Sequence, residues 1–333
     1  MSLLTATTKG TFGLIRRLPP LLAASTVGWL AYSAIRDRDE PPLPDPFASR
    51  PNRLVTLEAG ELVVHETQVH TDRSDTTPVV LIHSVNAAAS SYEMAPLFQR
   101  LERDRFVVSV DLPGFGHSDR SDRQYSPELM ADAIAAVLDT FDEPVHLITL
   151  SLSGEFAARA ARIRPDRVAS LTMISPTGMG SGSMVEPRSS GWFETITENS
   201  LVGQGLFDLL ASDWSIRYFL SRSFATTVDP GLAAFAGLTA RQPDARHAPL
   251  AFIRGELFTP DALSELYQPL MVPTLVLYDE DAYTDFAYLP EFVADRPNRT
   301  ARRIPGTRGL PHFDRPAQTV DAIETFWKDV ESI

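Results

Sequence analysis

The chain contains no cysteine, so thiolate nucleophiles, disulfides and cysteine-ligated zinc are excluded, and the redox state of its compartment leaves no mark on it. Histidine is sparse: seven residues, with no H-E-x-x-H or similar spacing, so no motif supports a metal site or a cofactor, and none is expected. Positive charge is in deficit. With 30 Lys and Arg against 43 Asp and Glu, a formal net charge of -13, no nucleic-acid partner is expected, because phosphate binding is driven by cationic side chains. Long apolar runs are also lacking, apart from Leu18 to Ile35.

What is present is a globular composition, 44% hydrophobic and 22% charged, in a chain of 333 residues long enough to bury a substantial core. Leu54 to Leu57 and Leu62 to His65 flank Ala59-Gly60 and predict a hairpin. Pro78 to His83, Phe106 to Asp111, Val145 to Leu150, Val168 to Ser175, Thr274 to Tyr278 and Ala301 to Ile304 are short apolar runs typical of strands buried on both faces. Helices fit between them: Ser90 to Arg100 behind a Ser90/Glu93 capping box, Pro127 to Leu138 behind Ser126, and Leu152 to Arg164 before Pro165. This alternation implies an α/β fold, a doubly wound and mostly parallel sheet with helices on both faces. It breaks between about Met179 and Met271, where strand runs cease and Trp192, Phe193, Phe207, Trp214, Tyr218, Phe219 and Phe224 gather, which predicts an inserted helical lid. The expected division is therefore residues 1–51 as apolar segment and Pro-rich linker, 52–178 and 272–333 as the two parts of the core, and 179–271 as the lid.

Leu18 to Ile35 follows Arg16-Arg17 and precedes Arg36-Asp37-Arg38-Asp39-Glu40. It only just reaches bilayer-crossing length. Three outcomes stay open: it spans, it is cleaved near Ser33 or Ala34, or it docks as an apolar helix on the protein's own lid. Membrane association is the expectation taken forward, with the basic flank leaving the N-terminus cytoplasmic and the folded domain outside.

Two stretches carry chemistry. Leu147-Ile148-Thr149-Leu150-Ser151-Leu152-Ser153-Gly154 is a strand that becomes a helix at one serine. A nucleophile elbow needs small residues two before and two after that serine, because the turn is tight; Thr149 and Ser153 hold those places where glycine is usual. The turn would lift the Ser151 hydroxyl above the sheet and set the Leu152 amide at a helix N-terminus, where N–H groups stabilise an oxyanion. The second stretch, Asp111-Leu112-Pro113-Gly114-Phe115-Gly116-His117-Ser118, directly follows a strand. Its glycines permit a tight turn, and His117 is expected to hydrogen-bond within the loop.

Together with Leu81-Ile82-His83-Ser84, these stretches resemble the α/β-hydrolase family, over roughly Leu54 to the C-terminus apart from the lid. The resemblance implies that His83-Ser84-Val85 matches the family's H-G-x segment, so that Val85 and Leu152 supply the oxyanion hole and His83 orients the loop. It implies a carboxylate after the next-to-last strand, for which Tyr278-Asp279-Glu280-Asp281 offers Asp281, with Asp279 as runner-up. A serine at the elbow excludes the dehalogenase and epoxide-hydrolase chemistries that the family ties to aspartate there. The family's G-H-x-P-x-x-E-x-P segment aligns Gly309 with the catalytic histidine, but His312 completes the chain order Ser, Asp, His and is the expected base. The implied function is hydrolysis of a small hydrophobic ester or related acyl substrate through an acyl-enzyme on Ser151. C–C bond hydrolysis, perhydrolysis, and a degenerate hydrolase that binds a ligand or protein without turnover are the alternatives. Nothing in the sequence fixes the oligomeric state.

Overall fold

The computed structural model describes residues 28–33, 41–47, 49–56, 58–67, 76–181, 197 and 200–332. Eight strands make the sheet: β1 (Arg50–Thr56), β2 (Gly60–Glu66), β3 (Val79–Ile82), β4 (Val107–Val110), β5 (Val145–Leu150), β6 (Val168–Ile174), β7 (Thr274–Glu280) and β8 (Arg299–Arg308), in the spatial order β1-β2-β4-β3-β5-β6-β7-β8. The β1–β2 hairpin pairs Leu54 with Leu62, and β2 runs antiparallel to β4; every later pairing is parallel. The predicted strands fall on the observed ones, except that Ala301 to Ile304 marks only the middle of β8. An edge strand solvated on one side keeps arginines such as Arg302 and Arg303 exposed, so it lacks the continuous apolar run of a central strand.

Period-2 alternation sends successive residues to opposite faces, and each face has its own core. Val80 and Ile82 of β3 join Met130, Ile134 and Phe156 on one side, under α2 (Pro127–Leu138) and α3 (Ser153–Ile163). Val79 and Leu81 join Phe98, Ile323 and Trp327 on the other, under α1 (Ala95–Leu101) and the C-terminal helix (Pro316–Glu331). Ser126 caps α2 by accepting from the Leu129 amide at 3.2 Å, with Pro127 at its first position. Ser90 and Glu93 do not form the predicted capping box: the Ser90 side chain makes no cap bond to the short 3-10 turn Ser91–Met94, and the Glu93 carboxylate turns to the loop after β3 instead.

Between β6 and β7, in the stretch for which a lid is expected, lie the helices α4 (Ser200–Leu210), α5 (Asp213–Ser223), α6 (Pro230–Arg241) and α7 (His247–Arg254), followed later by α8 (Leu289–Ala294), α9 (Pro311–Asp314) and α10, the C-terminal helix. Phe207, Ile216, Ala236, Ala240 and Leu250 give the lid a small core of its own. Asp314 of α9 ties the lid to the core, accepting from the amides of Ala225 at 2.9 Å and Thr226 at 3.1 Å.

The expectation of a membrane-borne N-terminal segment is overturned. Among the described residues no helix is long and apolar enough to cross a membrane. Of Leu18 to Ile35, residues 28–33 are described and are helical, and the rest lies outside the described residues. That helix sits on α4: the Trp29 indole N–H donates to the Gly205 carbonyl at 2.8 Å, the Ser33 hydroxyl donates to the Asp208 carboxylate, and Leu30 packs at Gly205. Its polar atoms find partners in the protein rather than facing lipid, so the membrane anchoring and the extracytoplasmic placement inferred from it are withdrawn.

Candidate active site

The site begins with a strained backbone. β5 ends at Leu150, α3 opens at Ser153, and between them Ser151 adopts φ +56°. The left-handed region costs an ordinary residue about 1–2 kcal/mol, so neighbouring groups must impose it. The Ser151 amide donates to the Ile174 carbonyl of β6 at 2.8 Å, and the Ser151 carbonyl accepts from the Gly154 amide at 3.1 Å. Ser153, one of the two substituted glycine positions, uses its hydroxyl: it reaches the Leu150 carbonyl at 2.7 Å and the His83 carbonyl at 2.6 Å, stitching the turn to the end of β3. Thr149 is fully buried.

Above the elbow is a cavity of about 370 Å³ with a mostly apolar wall. The loop after β3, the elbow, lid residues such as Ile216, Phe219 and Leu232, and the loops after β7 and β8 all contribute to it. Ser151, Val85 and Leu152 line it together. The Val85 and Leu152 amides have no partner among the described residues, and neither has the Ser151 hydroxyl. Two free N–H groups beside a nucleophile are what oxyanion stabilisation requires. The loop bearing Val85 is held from both ends. His83 donates from Nδ1 to the Ser84 carbonyl at 2.5 Å and accepts at Nε2 from the Leu112 amide at 3.0 Å. The Glu93 carboxylate accepts from the Ser84 amide at 2.8 Å and from the Asn86 side chain at 2.7 Å. Sequence reasoning missed this role of Glu93, because an acid three residues after a serine carries the pattern of a helix cap.

The other side of the cavity holds Asp281. Its Oδ1 accepts from the amides of Tyr283 at 2.7 Å and Thr284 at 3.2 Å; burial outweighs these bonds and raises its pKa. No described residue donates to Oδ2. Asp279 does not line the cavity. It accepts from Arg303 Nε at 2.6 Å and the Thr307 amide at 3.0 Å, bonds that overcome its burial and hold it below the ordinary carboxylate range. Gly309 has φ +52°, and a Cβ placed on it would lie 3.0 Å from Asp281 Oδ2.

His312 is elsewhere. It is fully buried, its Nε2–H donates to the Glu93 carbonyl at 2.7 Å, and Nδ1 has no partner. Burial pushes its pKa down to about 4. Pro311 starts α9 immediately after Leu310, so His312 is already a helical residue packed inward beside Phe313. Neither ring nitrogen contacts Ser151 or Asp281. The structure thus brings Ser151, Leu152, Val85 and Asp281 to one cavity and does not bring His312 there; among the described residues no histidine lines it.

His65, Asp111 and His117 place three ligand-type atoms within 4.8 Å of one another. The trio is linked by hydrogen bonds: Asp111 Oδ2 lies 3.1 Å from His65 Nε2 and 3.3 Å from His117 Nδ1, and His117 Nε2 is 3.2 Å from the Leu43 carbonyl. Although Asp111 is buried, these partners hold its pKa well below the usual carboxylate range. Asp111 also accepts from the amides of Ser91 and His117, fixing the loop after β4 against the turn that carries Glu93.

A family profile described as "Alpha/beta hydrolase family" matches residues 79–322. Over 75 residues, 22% of this chain and 28% of the relative, the sequence is 43% identical to a pimeloyl-[acyl-carrier protein] methyl ester esterase of Methylococcus capsulatus. It is 32% identical over 107 residues, 31% of this chain and 28% of the relative, to the dihydrolipoyllysine-residue acetyltransferase component of an acetoin cleaving system of Pseudomonas putida. In each case the match spans less than a third of the relative's length. Among solved structures, a probable hydrolytic enzyme of Pseudomonas aeruginosa superposes with a TM-score of 0.66 at 18% identity, covering 86% of this chain and 98% of the other. With the fold shared across nearly the whole of that structure and the profile extending over well more than half of the sequence, the chain belongs to the alpha/beta hydrolase family.

Proposed function

We propose that the protein hydrolyses a small hydrophobic ester or related acyl compound, with Ser151 as nucleophile and the Val85 and Leu152 amides receiving the oxyanion. The observation that carries this reading is the Ser151 backbone, held at φ +56° beneath an apolar cavity beside two unpaired amides. Ser151 Oγ would attack the carbonyl carbon, the oxygen would take up the negative charge, and the alcohol would leave before water releases the acid. Asp281 belongs to the same cavity, while His312 is too buried and too weakly basic to take the Ser151 proton from where it lies. Turnover by the chain alone is therefore slow.

Glycine at 309 supports a second reading, in which the cavity binds such a ligand without turnover. A fluorophosphonate probe and a series of 4-nitrophenyl esters of increasing chain length separate the two. Labelling and slow hydrolysis that both vanish in Ser151→Ala support the hydrolase; ester binding that protects against thermal unfolding, with no Ser151-dependent product, supports the binding module.

A further inference from the structure

Two groups in one cavity each lack a partner of the same kind. Among the described residues none donates a hydrogen bond to Asp281 Oδ2 and no cation is paired with Asp281. Among the described residues no side chain hydrogen-bonds the Ser151 hydroxyl, and no histidine lines its cavity. Beside Asp281 the chain places Gly309, where a Cβ would stand 3.0 Å from Asp281 Oδ2 and 3.5 Å from the Ser223 Cβ. Gly309, Ser223, Asp281 and Ser151 all line the same cavity. A carboxylate oxygen that faces an apolar-walled cavity without a protein donor can accept a hydrogen bond from a group that enters the site.

Resting on the reading of Ser151 as a hydrolytic nucleophile, we infer that the space at Gly309 is a subsite for a nitrogen base brought by the ligand, an imidazole or amine whose N–H donates to Asp281 Oδ2. The apolar remainder of the ligand lies against Ile216, Phe219 and Leu232 of the lid. With a neutral imidazole, one ring N–H is held by Asp281 and the other nitrogen takes the proton of Ser151 as Oγ bonds to the acyl carbon and the carbonyl electron pair moves to oxygen. The imidazolium then returns that proton to the leaving alcohol oxygen as the carbon–oxygen bond breaks. In the second half, the base, still held by Asp281 whether free or on the alcohol just cleaved, accepts a proton from water as the hydroxide oxygen bonds to the acyl carbon, and delivers it to Ser151 Oγ as the acid departs. No oxidant, metal or further reactant is needed.

The test pairs binding with turnover, using free imidazole with 4-nitrophenyl acetate, and separately the acetate ester of 2-(imidazol-4-yl)ethanol against 2-phenylethyl acetate. Free imidazole should bind the wild-type protein by NMR titration, bind at least about tenfold more weakly to Asp281→Asn, and raise ester hydrolysis saturably by about 10²-fold or more, as general-base catalysis does. The rise should be absent from Ser151→Ala, which reports the uncatalysed reaction of imidazole with the ester. Preference for the imidazole-bearing ester over its phenyl counterpart assigns the base to the substrate; a response to free imidazole alone assigns it to a separate small molecule. Imidazole that binds wild type and Asp281→Asn alike, or a rate that rises only as it does in Ser151→Ala, overturns the subsite. Gly309→His separates that failure from failure of the underlying reading. If this variant hydrolyses ester while imidazole does not bind, the serine hydrolase stands and the subsite falls; if imidazole binds through Asp281 and neither it nor Gly309→His produces turnover, the subsite stands and the hydrolase reading falls.

Discussion

On the β3–β5–β6 side of the cavity, placement is a matter of backbone: Ser151 is locked at a positive φ by bonds to β6 and α3, and the Val85 loop is pinned by His83 and Glu93. On the β7–β8 side, placement falls to single side chains at strand ends. Asp281 is there, position 309 offers none, and His312 has been turned inward by the start of α9. On the proposed reading, the nucleophile and oxyanion side is held by backbone, strain included, while the proton-transfer side is left open. Strain of that kind persists only where the surroundings over-determine it, and here Ser153 does so with a hydroxyl that glycine would not supply.

The largest effect that would break the comparison comes from the nucleophile. Ser151→Ala should remove fluorophosphonate labelling altogether, read by intact-mass spectrometry, and should leave thermal stability nearly unchanged, because alanine keeps the Cβ that meets the same positive φ; labelling at another serine would move the functional centre. Next comes acid stability, which sharpens the structural role of His312. Burial lowers both His312 and His146 to about 4, whereas an unfolded histidine takes up its proton near 6.5. The unfolded state therefore binds more protons between those values. Each group removes up to about 1.4 kcal/mol of stability per pH unit as pH falls through that window, and none above it. Denaturation midpoints measured from pH 7 to pH 4 should drop steeply, and His312→Gln should flatten part of that slope without moving ester turnover at pH 7 by more than about tenfold, far less than loss of a triad base.

A smaller change tests the stitch between elbow and loop. Ser153→Ala removes the donor shared by the Leu150 and His83 carbonyls and should cost about 1–2 kcal/mol in urea unfolding, with labelling of Ser151 slowed; Ser91→Ala, whose hydroxyl is buried without a partner, should not slow labelling. The smallest effect belongs to Asp281. Because burial raises its pKa, its ionised form is disfavoured in the fold, so Asp281→Asn should raise the melting temperature at pH 7. The gain should fade as pH falls below the ordinary carboxylate range, where Asp281 is protonated too.

Much of this was legible from residues, and the losses have physical reasons. Central strands announce themselves because burial on both faces demands unbroken apolar runs, as in Val79–Ile82; β8, at the edge, does not. The elbow is legible because small residues, Thr149 and Ser153, stand two before and two after Ser151. Asp279 and Asp281 are two residues apart and chemically alike, and only the fold distinguishes the one held by Arg303 from the one facing Gly309. His312 fits the expected chain order, yet chain order carries no information on where α9 begins, and that start decides which way its imidazole points. Uncharged length in Leu18 to Ile35 cannot tell lipid from a lid helix, whereas the partners of Trp29 and Ser33 can.

The most direct measurement is the steady-state hydrolysis of 4-nitrophenyl butyrate by Gly309→His beside wild type. A histidine tolerates left-handed backbone better than most residues, and from position 309 its ring would start next to Asp281 Oδ2. The account predicts a gain in kcat of about 10²–10⁴-fold, the contribution typical of a positioned general base, abolished by a second substitution, Ser151→Ala. Wild-type turnover that already matches Gly309→His, and that collapses in His312→Ala, would contradict it.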